Sequence, residues 1–288
     1  MMHKTQIFNA NIGDHYRNRL THTLEVSQIA RSIGKNLSLN DELIEAIALG
    51  HDVGHTPFGH IGERTLHNII MHGELNEIAL IKQGFKHNFQ SLRVLDELES
   101  RCNEYSGLNL TLAVREGILK HTSLKQDGVP VLYPGTNLDN IDLNKPSFTL
   151  EGQVVALADE IAQCTHDLED AVRSKIITPD AIASDPFIKE IVEKYKITYD
   201  PRSKTPTYDT RSAVVKSMVG FFIEDACKTS QKLVSHYVEK HSPQYTSVDD
   251  CINEKCISLS EEVEKDRKRI YKELIIKRII CSEVFMVN

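Results

Sequence analysis

The sequence predicts an all-α fold: a helical bundle with a C-terminal helical extension and little or no β structure. Three observations carry that expectation. Apolar residues recur at helical spacing along most of the chain, strong breakers separate the periodic stretches, and neither an internal repeat nor a low-complexity tract interrupts them. In "THTLEVSQIARSIGKNL", Leu24, Ile29, Ile33 and Leu37 lie near one stripe that Val26 and Ala30 widen. "SLNDELIEAIALGHD" follows with Leu43, Ile44, Ile47 and Ala48, acidic residues in its early turns, and Asn40 as the N-cap in competition with Ser38.

Further helices are expected over 57–71, 86–102, 109–121, 150–173, 179–196, 211–240 and 247–283. The Gly-, Pro- and Asn-rich stretch 123–147 reads as the longest loop, with a short hairpin allowed at "VPVLYPG", and "YDPRSKTPTYD" (199–209) as the second break. The charged tail "SEEVEKDRKRIYKELIIKRIICSEV" keeps Ile and Leu at helical spacing, which suits an amphipathic packing or oligomer helix. Residues 1–175 read as a core and 176–288 as a helical region packed on it, together one structural domain.

With 288 residues, the chain can bury a sizeable core, and 40% hydrophobic with 26% charged residues is an ordinary globular balance. A net charge of -7 argues against a generally basic nucleic-acid binder but leaves room for a basic pocket holding one polyphosphate. Tryptophan is absent and aromatics make up 6%, so stacking platforms for single-stranded DNA are not indicated. The six cysteines include no CxxC pair, and Cys251 and Cys256 lack neighbouring His at zinc-finger spacing. No signal peptide and no apolar run of about 18 residues occurs, so a cytoplasmic protein with reduced thiols and no membrane partner is expected.

The unusual segment is "IALGHDVGHTPFGHIGERTLH" (47–67), four histidines and an aspartate after an apolar run. His51 and Asp52 end a helix, where both can turn toward one ion, while Gly54, Pro57 and Gly59 bend the chain. Two ligands hold a metal poorly. His22 and Asp159 each sit on an otherwise apolar helix, where a buried charge is costly unless paired or coordinated. Taken singly, His22 also suits a satisfied core histidine and Asp159 an ion pair with an arginine.

Five motifs in order, "RLTHTLEV", "AIALGHDVGHTPFGHIGE", "FKHNFQSLRVL", "GLNLTLAVREGILKH" and "LEGQVVALADEIAQCTHDLEDAV", resemble the HD-superfamily, dGTPase-like deoxynucleoside triphosphate triphosphohydrolases. The resemblance runs from about Lys4 to Val172 and implies an HD-domain helical bundle. It implies a metal quartet of His22, His51, Asp52 and Asp159, holding Mg2+, Mn2+, Co2+, Fe2+ or Zn2+. It also implies His60 and Glu63 as the catalytic pair. At i and i+3 they share a helix face, so that Glu63 would orient His60 and raise its pKa. His55, His87 and Arg19 would face the phosphates, and Gln6 and Asp167 would hold the 3′-hydroxyl. His121, His166 and Lys120 are weaker pocket candidates, while His67 and His72 read as surface residues.

Two departures stand out. Members of that family carry a longer segment ahead of "KTQIF", so either the true start lies upstream or this is a short form. At Gln163 they carry a tyrosine against the sugar; a glutamine here predicts weaker discrimination against ribonucleotides. The expected activity is metal-dependent hydrolysis of dGTP or a broader dNTP to deoxynucleoside and inorganic triphosphate. The alternatives are an HD-type nucleotidase and a catalytically weak nucleotide-binding regulator. A homo-oligomer, with a hexamer common in that family, and a dNTP effector are the partners the resemblance implies.

Overall fold

The computed structural model describes residues 18–72, 84–126, 129–130, 138, 141–178, 181–182, 184–197, 208–241 and 252–277. They form α1 (Arg19–Asn36), α2 (Asp41–Gly50), α3 (Gly59–His72), α4 (His87–Arg93), α5 (Leu112–Lys120), α6 (Leu150–Arg173), α7 (Pro186–Lys194), α8 (Tyr208–His241) and α9 (Glu261–Arg269). The fold is therefore all-α, as expected. The β structure among the described residues is slight: paired two-residue strands, β1 (Lys125–Gln126) and β2 (Val129–Pro130), in register Lys125↔Pro130, and an isolated bridge between Ser100 and Gly107. Of "VPVLYPG", Val129 and Pro130 pair with Gln126 and Lys125, and 131–135 lie outside the described residues. Among the described residues no helix is long and apolar enough to cross a membrane.

The chain forms two compact units: Met1–Asp159 with Leu233–Ile257, and Glu160–Lys232 with Ser258–Asn288. The division runs through α6 and α8.

In the first unit, α1 packs on α2, α2 on α5 and α4 on α5. Asn18 caps α1 by accepting from the Thr21 amide at 3.0 Å, and Asn40 caps α2 by accepting from Leu43 at 3.0 Å. Ser38 instead adopts φ 58° in the turn between the helices. The buried stripe of α1 is Val26, Ile29, Ala30 and Ile33, whereas Leu24 is 53% exposed. The reason is helical phase: positions 22, 26, 29 and 33 follow one another at three- or four-residue steps. The face that sinks into the core therefore carries His22 with it. The core continues through Ile44, Ile47, Phe89, Leu92, Ile118, Leu119, Val154 and Val155. Gln153 ties the segment 254–257 to α6: its amide donates to the Ser147 and Glu254 carbonyls, and its carbonyl accepts from the Cys256 and Ile257 amides.

In the second unit, Phe187 packs on Phe221 and Phe222 with ring centroids 5.4 and 5.7 Å apart. The stretch expected as a helix over 179–196 is helical at Ala181 and Ile182, breaks at Ser184 and Asp185 and resumes as α7 at Pro186; 179, 180 and 183 lie outside the described residues. Asp185 precedes a proline and is thereby steered away from helical backbone. Its side chain accepts from the Phe187 and Ile188 amides and binds Arg269 at 2.6 Å. Of the helix expected over 247–283, residues 252–260 are not helical and α9 starts at Glu261, with Ser258 and Ser260 held outside a helix by bonds to Ser230 and Asp225; 247–251 and 278–283 lie outside the described residues. Past α9 a π-helical stretch, Ile270–Ile276, buries Ile270, Leu274 and Ile275. Another π-helical stretch, Val94–Leu98, follows α4 and ends the segment expected over 86–102.

Candidate metal centre

The cluster is assembled from three helices. His22 lies in the first turn of α1, His51 and Asp52 directly follow α2, and Asp159 sits on α6. The ligand atoms of His22, His51 and Asp159 lie within 4.8 Å of one another. His22 Nε2 is 2.9 Å from Asp159 Oδ1, and His51 Nε2 is 3.7 Å from the same oxygen. His51 is fully buried, and its Nδ1–H donates to the Ala48 carbonyl at 2.6 Å. The proton is thereby fixed on Nδ1, and the buried Nε2 has no hydrogen-bond partner. A bare nitrogen lone pair beside a carboxylate, in a pocket of imidazole and carboxylate donors, fits a divalent cation.

Asp52 stands slightly apart from this trio. Its Oδ2 accepts from Arg19 Nη1 at 2.5 Å and is 3.7 Å from His51 Nε2, while its Oδ1 lies 3.3 Å from His55 Nε2. Arg19, expected on the phosphate side, here balances the Asp52 charge, although its Nε has no partner. Burial would raise the Asp52 pKa, but Arg19 and the surrounding histidines hold it well below the usual carboxylate range. Asp159 behaves alike: burial opposes ionisation, and the bond from His22 outweighs it. For His22 burial favours the neutral ring, yet Asp159 and Asp52 raise its pKa overall.

The turn to α3 brings the remaining histidines. Phe58 and Gly59 both take positive φ, 66° and 55°, so the chain reverses sharply before His60. Gly54 is required by proximity: a Cβ there would lie 2.1 Å from the Ser91 amide nitrogen. Its N–H donates to Ser91 Oγ, which in turn donates to the His51 carbonyl, locking α4 against the HD turn. His87, at the start of α4, stacks on His55 with centroids 3.7 Å apart and an interplanar angle of 14°. His60 lies at the exposed edge, 5.3 Å from the His55 ring and 6.3 Å from that of His87.

The structure corrects the pairing expected for Glu63. The carboxylate binds His87 through Nδ1, accepts from the His87 amide at 3.0 Å, and accepts from Lys86 Nζ at 2.9 Å. Burial would raise its pKa, but His87 and Lys86 drive it below the ordinary carboxylate range. His60 is thus not raised as expected. Crowding by protein atoms and the charge of His87 push it down to about 4, against a weaker upward pull from Glu63. His55 is likewise lowered, first by burial and then by His87.

His121 is drawn into the cluster. It ends α5, donates from Nδ1 to the Ile118 carbonyl at 2.7 Å, and sets its Nε2 3.1 Å from that of His87. Burial, then the charges of His51 and His87, push its pKa down to about 3. Its signal in the sequence, a histidine after an apolar helix, repeats the His51 pattern. Lys120 is not available to a phosphate: it pairs with Glu116 at 2.7 Å and donates to the Pro146 carbonyl. His67 accepts from the Phe85 amide and His72 is exposed. Gln163 is half-buried, and His166 and Asp167 are buried, on the part of α6 that belongs to the second unit. Gln6 lies outside the described residues.

A helical fold whose His and Asp ligands come from the start of one helix, the end of a second and the middle of a third defines the class. The HD domain family profile matches residues 19–163, spanning His22, His51, Asp52 and Asp159. The chain is 38% identical over 273 residues to a deoxyguanosinetriphosphate triphosphohydrolase-like protein of Neorickettsia sennetsu, covering 94% of this chain and 66% of that one. It is 37% identical over 287 residues to a protein so named from Rhizobium johnstonii, covering 97% and 67%. With one from Rickettsia felis it shares 45% over 201 residues, covering 68% and 50%. The chain spans about two thirds of the length of the first of these relatives, 66%. It belongs to the HD-domain family, and within it to the deoxyguanosinetriphosphate triphosphohydrolase-like proteins.

Proposed function

We propose that the chain hydrolyses a deoxynucleoside triphosphate, dGTP or a broader range, to the deoxynucleoside and inorganic triphosphate with a divalent cation. The observation that carries this reading is the trio His22, His51 and Asp159, with a buried, unpartnered Nε2 on His51 aimed among carboxylates. His22, His51 and Asp159 would hold the cation together with the adjacent Asp52, whose charge Arg19 balances. Such a cation supplies Lewis-acid polarisation of an α-phosphate oxygen.

Water attacks the α-phosphorus and the bond from phosphorus to O5′ breaks. His60, neutral at pH 7 and open to solvent, accepts the proton of the water and returns one to O5′. Glu63 is a positioning residue: it holds His87, and through the stacked rings His55, at the phosphate side. Arg19 offers its remaining donors to the triphosphate. The names of the relatives support the substrate class.

The deciding measurement is a panel of the eight common NTPs and dNTPs with Mg2+, Mn2+ or Co2+, in which triphosphate, orthophosphate and nucleoside are quantified separately. Stoichiometric triphosphate and deoxynucleoside are expected. Orthophosphate release instead would indicate a nucleotidase, and binding without product a regulatory role. Comparable rates on dGTP and GTP are expected from Gln163; strict rejection of GTP would remove that part of the reading.

A further inference from the structure

The chain enters α4 as an extended strip laid along α3. Gly84, Phe85 and Lys86 are buried outside any helix, and Lys86 has extended backbone at φ -143° and ψ 129°. Two side chains of α3, four residues apart and so on one face of that helix, hold the strip. His67 accepts from the Phe85 amide through Nδ1 at 3.2 Å. Glu63 accepts from the His87 amide at 3.0 Å and from Lys86 Nζ at 2.9 Å. Gly84 closes the contact at the other end: its φ is 86°, and a Cβ there would lie 2.2 Å from His67 Nδ1.

Lys86 is the member of this group that packing does not explain. Its side chain is 10% exposed, and replacing a buried ion pair by apolar groups of like volume is often neutral or stabilising. What the ammonium adds is direction. Oε2 of Glu63 is taken by the amide and the Nδ1 of His87, while Oε1 is held by Lys86. With both oxygens engaged the carboxylate plane is set, and Glu63 is kept from turning toward His60, which shares its helix face three residues earlier. His87 is thereby gripped by its backbone and its ring at once, in the orientation that stacks it on His55.

We infer that Lys86 is a positioning residue for the phosphate side of the site: together with His67 it clasps residues 84–87 to α3, so that His87 meets a bound triphosphate in one orientation. This rests on the reading of the site as one for a nucleoside triphosphate, proposed above. The test is calorimetric titration of inorganic triphosphate into the Mn2+-loaded full chain, alongside kcat and KM on dGTP. Lys86→Met should weaken triphosphate binding about tenfold, the weight of one charge-assisted hydrogen bond, and raise KM by a like factor with kcat held within about threefold. In a His87→Ala background the same substitution should change neither binding nor KM, since Lys86 acts through that ring. His67→Ala strands no buried charge; it should act in the same direction, vanish likewise in the His87→Ala background, and decide the matter should Lys86→Met fail to fold. Binding untouched by either substitution, binding weakened equally with and without His87, or a fall in kcat at constant KM would each overturn this inference alone. No triphosphate binding by the unsubstituted protein would overturn the triphosphate reading and this inference with it.

Discussion

Two buried polar clusters in the first unit look alike by composition and differ in what they leave unmet. Around Glu116, which is fully buried, the carboxylate accepts from Ser147 Oγ at 2.5 Å and the Phe148 amide at 3.2 Å, and pairs with Lys120 at 2.7 Å. Lys120 spends a further donor on the Pro146 carbonyl. Around the histidines, by contrast, His51 Nε2, His55 Nδ1 and Arg19 Nε are buried without hydrogen-bond partners. A closed cluster holds a loop to a helix; an open one retains valence for something from outside. Buried polarity by itself is therefore not the sign of a site, since burial demands partners and only the deficit of partners points to a ligand.

The comparison can be broken by substitution. Asp159→Ala should remove the bound metal and hydrolysis together, as measured by metal content and product release; an active protein without metal would refute the centre. His60→Ala should lower turnover by about 10²- to 10⁴-fold while metal content stays unchanged, the size typical of a positioned proton-transfer group. Loss of metal in that variant would mean that His60 is a ligand.

Glu116→Ala should act oppositely to Asp159→Ala, on stability rather than metal. Leaving Lys120 uncompensated should cost about 3–5 kcal/mol in chemical denaturation, with metal stoichiometry intact. A loss below about 1 kcal/mol, the range of an exposed pair, would show that the cluster is not closed as described.

The smallest effect lies in the second unit. Burial would raise the Glu264 pKa, but bonds from Arg267 and Lys268 lower it below the usual carboxylate value. A lowered folded-state pKa means stability that is full above the unfolded value, about 4.3, and lost as pH falls through the lower folded one. Because Glu264 remains 20% exposed, the loss should stay within about 1 kcal/mol. Glu264→Gln should flatten that part of the acid limb in thermal melts between about pH 5 and pH 2. An unchanged limb would sink this assignment.

Much of this was legible beforehand. The Asn40 cap, the end of α2 at the HD turn and the full span of α6 follow from local chemistry, because caps, apolar phase and charged ends act within a few residues. A boundary failed where a distant group intervened: Ser260 is held outside the helix by Asp225, 35 residues away. Leu24 was misassigned because a hydrophobic stripe gives a width, not a centre.

At the site, the sequence by itself determined which residue types could meet a cation: His22, the adjacent His51 and Asp52, and an aspartate on an apolar helix at 159. Helical spacing placed His22 and Asp159 on otherwise apolar faces, and the resemblance to the HD superfamily grouped them with His51 and Asp52. Only the tertiary structure decided who faces whom. It gave Glu63 to His87 and Lys86 instead of His60, closed Lys120 onto Glu116, and brought His121 to within 3.1 Å of His87. The physical reason is that a carboxylate takes whichever donors are brought within hydrogen-bond reach, and in a buried site those come from other helices.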